Sequence, residues 1–204
     1  MPATSLDDLY SQKLQLLLDA EHQGLDALPQ LAQAVHDPKL RDTLQQHRRE
    51  SEGHVQRLQQ LIDGNARGSR TEECISMRAL IQEAQRTLGN IQDPDTIDAF
   101  VISAQQAIEH HEIAAYGTAR SWAQELGRDD DARTLQQILD EEGNADKQLS
   151  AIAERQVNER AAQGADREVG IQRGREADRS RRDEQGQGAG RLRDVEAQRG
   201  ADLR

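Results

Sequence analysis

The sequence predicts an all-α fold: a four-helix bundle with a short extra helix in its crossover and a charged tail behind it. Three observations carry that prediction. Apolar residues recur at three- and four-residue spacing over four long stretches, and no stretch alternates with period two. The aromatic and β-branched residues that favour strands are scarce, aromatics making up only 2% of the chain. Each long stretch is also bounded by residues that start and stop helices.

The first helix is expected from Ser5, an N-cap with Asp7 and Asp8 in the first turn, where acids complement the helix dipole. It runs through Leu14, Leu17, Leu25 and Leu28 to about Val35, and Pro29, lacking a donor, is expected to bend or break it. Asp37-Pro38 opens a second helix, with Leu40, Leu44, Leu58, Leu61 and Ile62 on its stripe and Gly64 at its end. Residues 64–70 read as a loop. A shorter helix follows from about Thr71, its cap, to Leu88, closed by Gly89. Asp93-Pro94-Asp95 opens the next long helix, which ends at Leu126-Gly127, and the last runs from Asp129 to Gln156, with continuation to Arg160. Two long hairpins joined by a crossover that holds a short helix is the ferritin-like arrangement of a bundle. Residues 5–160 therefore form the expected helical domain.

From residue 161 to 204 the periodicity collapses into a mixture of Gly, Gln and both charge signs, a composition unable to bury enough surface to offset ordering; disorder is expected there. Residues 155–204 hold 12 Arg against 10 acids, a net +2, so the rest of the chain carries about −13 against the total of −11. An acidic body with pI near 5.0 excludes nucleic acid as the main partner, because phosphate contacts need clustered cations. The single Cys74 excludes an internal disulfide framework. No export signal or membrane span is visible, and a cytoplasmic protein is expected.

Acids and imidazoles interrupt the apolar stripes at mid-helix. Glu21 falls among Leu14, Leu17, Leu25 and Leu28; Glu50 and His54 among Leu44, His47, Leu58 and Leu61; Glu112 follows Val101 and Ile108; Glu142 and Asp146 sit between Leu135, Leu139 and Leu149. Several unpaired carboxylates share an interior only when a cation compensates them. Glu50/His54 and Glu142/Asp146 are four apart, side by side on one face. Glu21 precedes Glu50 by 29 residues and Glu112 precedes Glu142 by 30, as in a duplicated hairpin. That is the layout of di-metal carboxylate bundles. Oxygen ligands with imidazole suit iron, with manganese or zinc also possible.

The pattern departs from the usual Glu-x-x-His of such bundles, since Glu50 and His54 are spaced i, i+4 and Asp146 stands where His is usual. In Glu109-His110-His111-Glu112 either acid can serve as the ligand: the stripe favours Glu112, and the likeness of Ile108-Glu109-His110 to Ala20-Glu21-His22 favours Glu109. The candidate metal residues are thus Glu21, Glu50, His54, Glu109, Glu112, Glu142 and Asp146, with His47 and His110 as orienting partners. The blander readings are that Glu52, Glu141 and Glu154 make solvated salt bridges, that His22 and His36 are exposed, and that Tyr10, Tyr116, Trp122 and Cys74 pack.

Four stretches resemble a known family: Leu17-Leu18-Asp19-Ala20-Glu21, Ala27 to Ala32, Leu139-Asp140-Glu141-Glu142 and, most specifically, Glu109 to Thr118 (EHHEIAAYGT, against EHYEIA-Y-GT). They resemble the bacterial stress-protein family that contains YciE and YciF, over roughly residues 5–155. The resemblance implies a rubrerythrin-related bundle with a di-metal site, a homodimer and production under stress. The function expected is iron oxidation or peroxide handling, a di-iron oxidase or peroxidase type of activity with O2 or hydrogen peroxide as partner. The alternative is a non-catalytic dimeric stress or interaction protein with a degenerate or empty site.

Overall fold

The computed structural model describes residues 3–64 and 72–164, and no strand occurs among them. The long helices are α1 (Leu6–Ala34), α2 (Pro38–Gly64), α4 (Pro94–Glu125) and α5 (Asp129–Ile152), with the shorter α3 (Ile75–Leu88) in the crossover. The expected disordered tail falls almost wholly on residues 165–204, outside the described residues.

The caps act where the sequence puts them. The Ser5 side chain accepts from the Asp8 N–H at the start of α1, and Asp93 accepts from the Thr96 N–H ahead of Pro94 in α4. After α4 the chain turns at Gly127, whose φ of 70° is the left-handed conformation that glycine adopts without strain. Three expectations differ in detail. Pro29 does not break α1, which continues to Ala34 because Leu28 and Leu31 on either side are buried in the core and outweigh one lost hydrogen bond. Helix α3 begins at Ile75 rather than near Thr71, which lies outside the described residues; the Cys74 N–H donates instead to Asp19 of α1 at 2.7 Å. After α5 a π turn, Ala153–Val157, leads into further helix at 158–164, beyond the expected end at Arg160.

Helices α1 and α2 pack as one hairpin and α4 and α5 as the other, with α1 against α4, α2 against α5, and α3 against α4 and α1. Contacts at both ends fix the directions. Arg128, at the start of α5, pairs with Asp7 at the start of α1 at 2.7 Å, and the Tyr10 hydroxyl donates to Asp131 at 3.0 Å. At the other end Asp98 of α4, almost fully buried, accepts from the backbone N–H of His36 and Asp37 in the α1–α2 turn at 2.6 and 2.9 Å. Arg160 ties Asp37 to Asp95 there, at 2.9 and 3.0 Å. Thus α2 and α4 start at one end and α1 and α5 at the other, which requires the crossover to run the length of the bundle.

The core has two apolar ends. Tyr10, Leu14, Leu17, Leu58, Leu61, Leu135 and Ile138 fill one, and Leu28, Leu31, Leu40, Leu44, Val101, Ile102 and Leu149 fill the other. Between them lies a buried polar layer: Glu21, His47, His54, Gln105, Glu109, Glu112 and Glu142. Cys74 and Met77, at and just inside the start of α3, seal its flank against Ala20 and Ile108.

Candidate metal centre

The polar layer gathers into two lobes. In the first, His47 of α2, Glu109 and Glu112 of α4 and Glu142 of α5 each present a ligand atom within 4.8 Å of the others. In the second, Glu21 of α1, His54 of α2 and the same Glu142 do so. Glu142 belongs to both. Each long helix turns the residue inward by register: Glu142 lies four after Ile138 and three before Ala145, and Glu112 four after Ile108 and four before Tyr116, all buried.

Burial is nearly complete, with Glu109, Glu142 and His54 0% exposed and Glu21 1%. Within the first lobe His47 Nε2 lies 3.3 Å from Glu109 Oε1, and the Gln105 amide donates to that same oxygen at 2.8 Å. In the second, His54 Nδ1 faces Glu21 Oε1 at 3.0 Å and Glu142 Oε1 at 2.9 Å, and the Tyr116 hydroxyl donates to Glu21 Oε1 at 2.5 Å. The other face of His54 reaches outward, its Nε2 2.8 Å from Glu141 Oε2, which also takes Arg57 at 2.5 Å.

The electrostatics are those of crowded acids out of water. Burial first, then the charges of Glu21 and its fellow carboxylates, holds the Glu112 and Glu142 carboxyls well above the usual range. Burial and the same acids raise the Tyr116 phenol. For His54 burial works against the charged ring, but Glu21 and Glu141 outweigh it and its pKa rises. Among the described residues no lysine or arginine enters the lobes.

The donor set fits a pair of divalent cations. Glu109 Oε2, Glu142 Oε2 and His47 Nδ1 are buried without a hydrogen-bond partner. His54 Nδ1 stands between two acids, 2.9 Å from Glu142 Oε1 and 3.0 Å from Glu21 Oε1, so at most one N–H is shared between two carboxylates. Orphaned carboxylate oxygens in a closed interior are what hard cations complete, and imidazole alongside them suits iron or manganese.

The family profile described as Domain of unknown function (DUF892) matches residues 5–162. The chain belongs to the DUF892 family. This DUF892 protein is 31% identical over 166 residues to protein YciF of Escherichia coli (strain K12), covering 81% of this chain and all of YciF. The crystal structure of the E. coli stress protein YciF superimposes with a TM-score of 0.73 over 76% of this chain and 99% of that one, at 31% identity. The solved structure of YcfI from Rhodopseudomonas palustris, for which a structural role is suggested, does so at 0.70 and 35% identity over 72% and 94%. The family and the bundle are therefore those that the EHHEIAAYGT stretch and the helix pattern pointed to.

The structure brings Glu21, His54, Glu109, Glu112 and Glu142 together, and with them His47, expected only as an orienting partner. Three others fall outside the two lobes, although the charge of Glu50 still reaches Glu142 and helps to raise its carboxyl. Glu50 is half-buried, with Oε1 accepting from Gln46 of its own helix at 2.9 Å. Asp146 lies one turn beyond Glu142, where it accepts from Gln106 of α4 at 2.9 Å. His110 is 66% exposed and approaches Asp146 at 3.5 Å. Residues not singled out for the site also border it, among them Tyr116, Gln105 and Glu141. The first two carried a signal, since each is a polar side chain on the α4 stripe four residues from a site acid. Glu141 carried none, because only the fold brings it to His54.

Proposed function

We propose that this DUF892 protein binds two divalent metal ions, iron foremost, in the paired lobes, and uses them in iron oxidation or peroxide handling. One observation supports the reading above the rest: three ligand-type atoms, Glu109 Oε2, Glu142 Oε2 and His47 Nδ1, are buried without partners, around a carboxylate common to both lobes. A pair of redox-active ions held by such a set supplies electrons to O2 or hydrogen peroxide. The protein's own part is to hold the pair, to exclude water with the apolar ends, and to move protons. Glu142 would bridge; Glu109, Glu112 and His47 would complete the first lobe; Glu21 and His54 the second. His54, hydrogen-bonded to Glu141 at the surface, offers a route for protons out of the dry interior.

A stress role and a homodimer belong to the same proposal; the first rests on the stress protein YciF as a relative. The competing reading, a non-catalytic protein with an empty site, is favoured by the His54–Glu21 and Tyr116–Glu21 hydrogen bonds, which satisfy part of the layer without metal. Elemental analysis of the full chain purified from iron-supplemented medium, with oxidation of added Fe(II) followed under O2 and under peroxide, separates the two. Bound metal near two per chain, lost in Glu142→Ala, supports the first reading. A metal-free chain that takes up no Fe(II) and is indifferent to chelator supports the second. Sedimentation velocity giving a species near twice 22.8 kDa supports the dimer, and a monomer excludes it.

A further inference from the structure

The lobes are unequally prepared for a cation. In the first, Glu109 Oε2 and His47 Nδ1, which belong to that lobe alone, are buried and orphaned. Neither has a hydrogen-bond partner, so a cation arriving at these two atoms displaces no donor from them. In the second, the Glu21 oxygen that faces the lobe accepts twice, from the Tyr116 hydroxyl at 2.5 Å and from His54 Nδ1 at 3.0 Å. A cation arriving there must displace both donors. The number of acidic ligands differs in the same sense, with three carboxyl groups in the first lobe against two in the second, one of them shared.

We propose that the lobes fill in order, the His47–Glu109–Glu112–Glu142 lobe first, and that Tyr116 is a positioning residue that holds Glu21 back from the second cation. This rests on the metal reading above and goes beyond it in assigning the order and the residue that sets it. Tyr116 lies between Glu112 and the apolar end with no exposed surface, so its hydroxyl has no water to turn to and its hydrogen bond to Glu21 persists until a competing ligand takes the carboxylate. A charge-assisted hydrogen bond of this kind, once removed, changes the affinity of a competing ligand by roughly ten- to a hundredfold.

Equilibrium titration of the chelator-stripped full chain with Mn(II), reading free Mn(II) by its electron paramagnetic resonance signal, tests this without any turnover. The wild type is expected to bind two equivalents in two classes. Tyr116→Phe should leave the first constant unchanged and tighten the second by roughly ten- to a hundredfold. Glu21→Gln should keep the first equivalent and lose the second. The unchanged first equivalent in each variant reports that the bundle has folded. Two equal classes in the wild type, or a Tyr116→Phe variant whose second constant is unchanged or weaker, overturn the order and the role of Tyr116 while leaving the metal reading in place. No Mn(II) bound by the wild type overturns the metal reading, and the order with it.

Discussion

Glu142 is the residue common to the two lobes, and it is also one of the acids most strained by its neighbours. Both properties lead to predictions. Glu142→Gln keeps the shape and removes the charge, so it should abolish both metal equivalents while stabilising the metal-free chain. The gain is about 1.4 kcal/mol for each pKa unit of relief, read as a higher urea midpoint in chelator. The pH dependence follows from the same crowding. Glu112 and Glu142 have folded pKa values above the ordinary 4.5, so the native chain keeps protons that the unfolded chain has released, and stability falls as pH rises above that value. His54, raised above 6.5, acts in the same sense: its contribution is full below that pH and is lost as pH climbs through the folded value. Asp37 and Glu141, both lowered, work the other way, but their contribution is complete once pH exceeds the ordinary carboxylate range. Between pH 5.5 and 8.5 the chelated protein should therefore lose stability steadily, whereas metal binding, which displaces those protons, should tighten. A urea midpoint in chelator that rises over this window would contradict the crowded-acid picture.

At the level of the helices, the geometry explains what could be read in advance and what could not. The stripes placed Glu21, Glu112 and Glu142 in the interior because each sits at helical spacing from buried leucines, isoleucines or a valine, whereas Glu109 was marked by the likeness of its stretch to that around Glu21. On α2 the choice between neighbours was harder. His47 and His54 are seven residues apart and so share a face to within about 20°, whereas Glu50 is rotated from His47 by about 60° and comes to lie at the stripe's edge. Asp146 shares a face with Glu142, but a turn along the helix it leaves the polar level and meets Gln106; spacing along one helix says nothing about what stands opposite. Asp98 is the other case that only assembly explains. In sequence it is an ordinary acid in the first turns of α4, yet it caps the α1–α2 turn from across the bundle. Asp98→Ala should leave two backbone N–H groups without their acceptor and cost about 2–3 kcal/mol, a fall in melting temperature of roughly 5–10 °C. A fall of less than a degree would remove Asp98 from the set of contacts that position α4.

Across the whole bundle, two apolar ends enclose a layer of acids that oppose one another until cations enter. Folding and metal binding are consequently linked, and a bound ion should raise stability by about 2.7 kcal/mol at a hundredfold excess over its dissociation constant. Mn(II) added to the stripped chain should lift the melting temperature by roughly 5–10 °C, and the lift should vanish in Glu142→Gln. The most direct measurement is an anomalous difference map from crystals of the chain soaked in Mn(II). Two peaks are predicted in the interior, one against His47, Glu109 and Glu112 and one against Glu21 and His54, with the Glu142 carboxylate between them. Density confined to surface carboxylates, with the polar layer unchanged, would contradict the account.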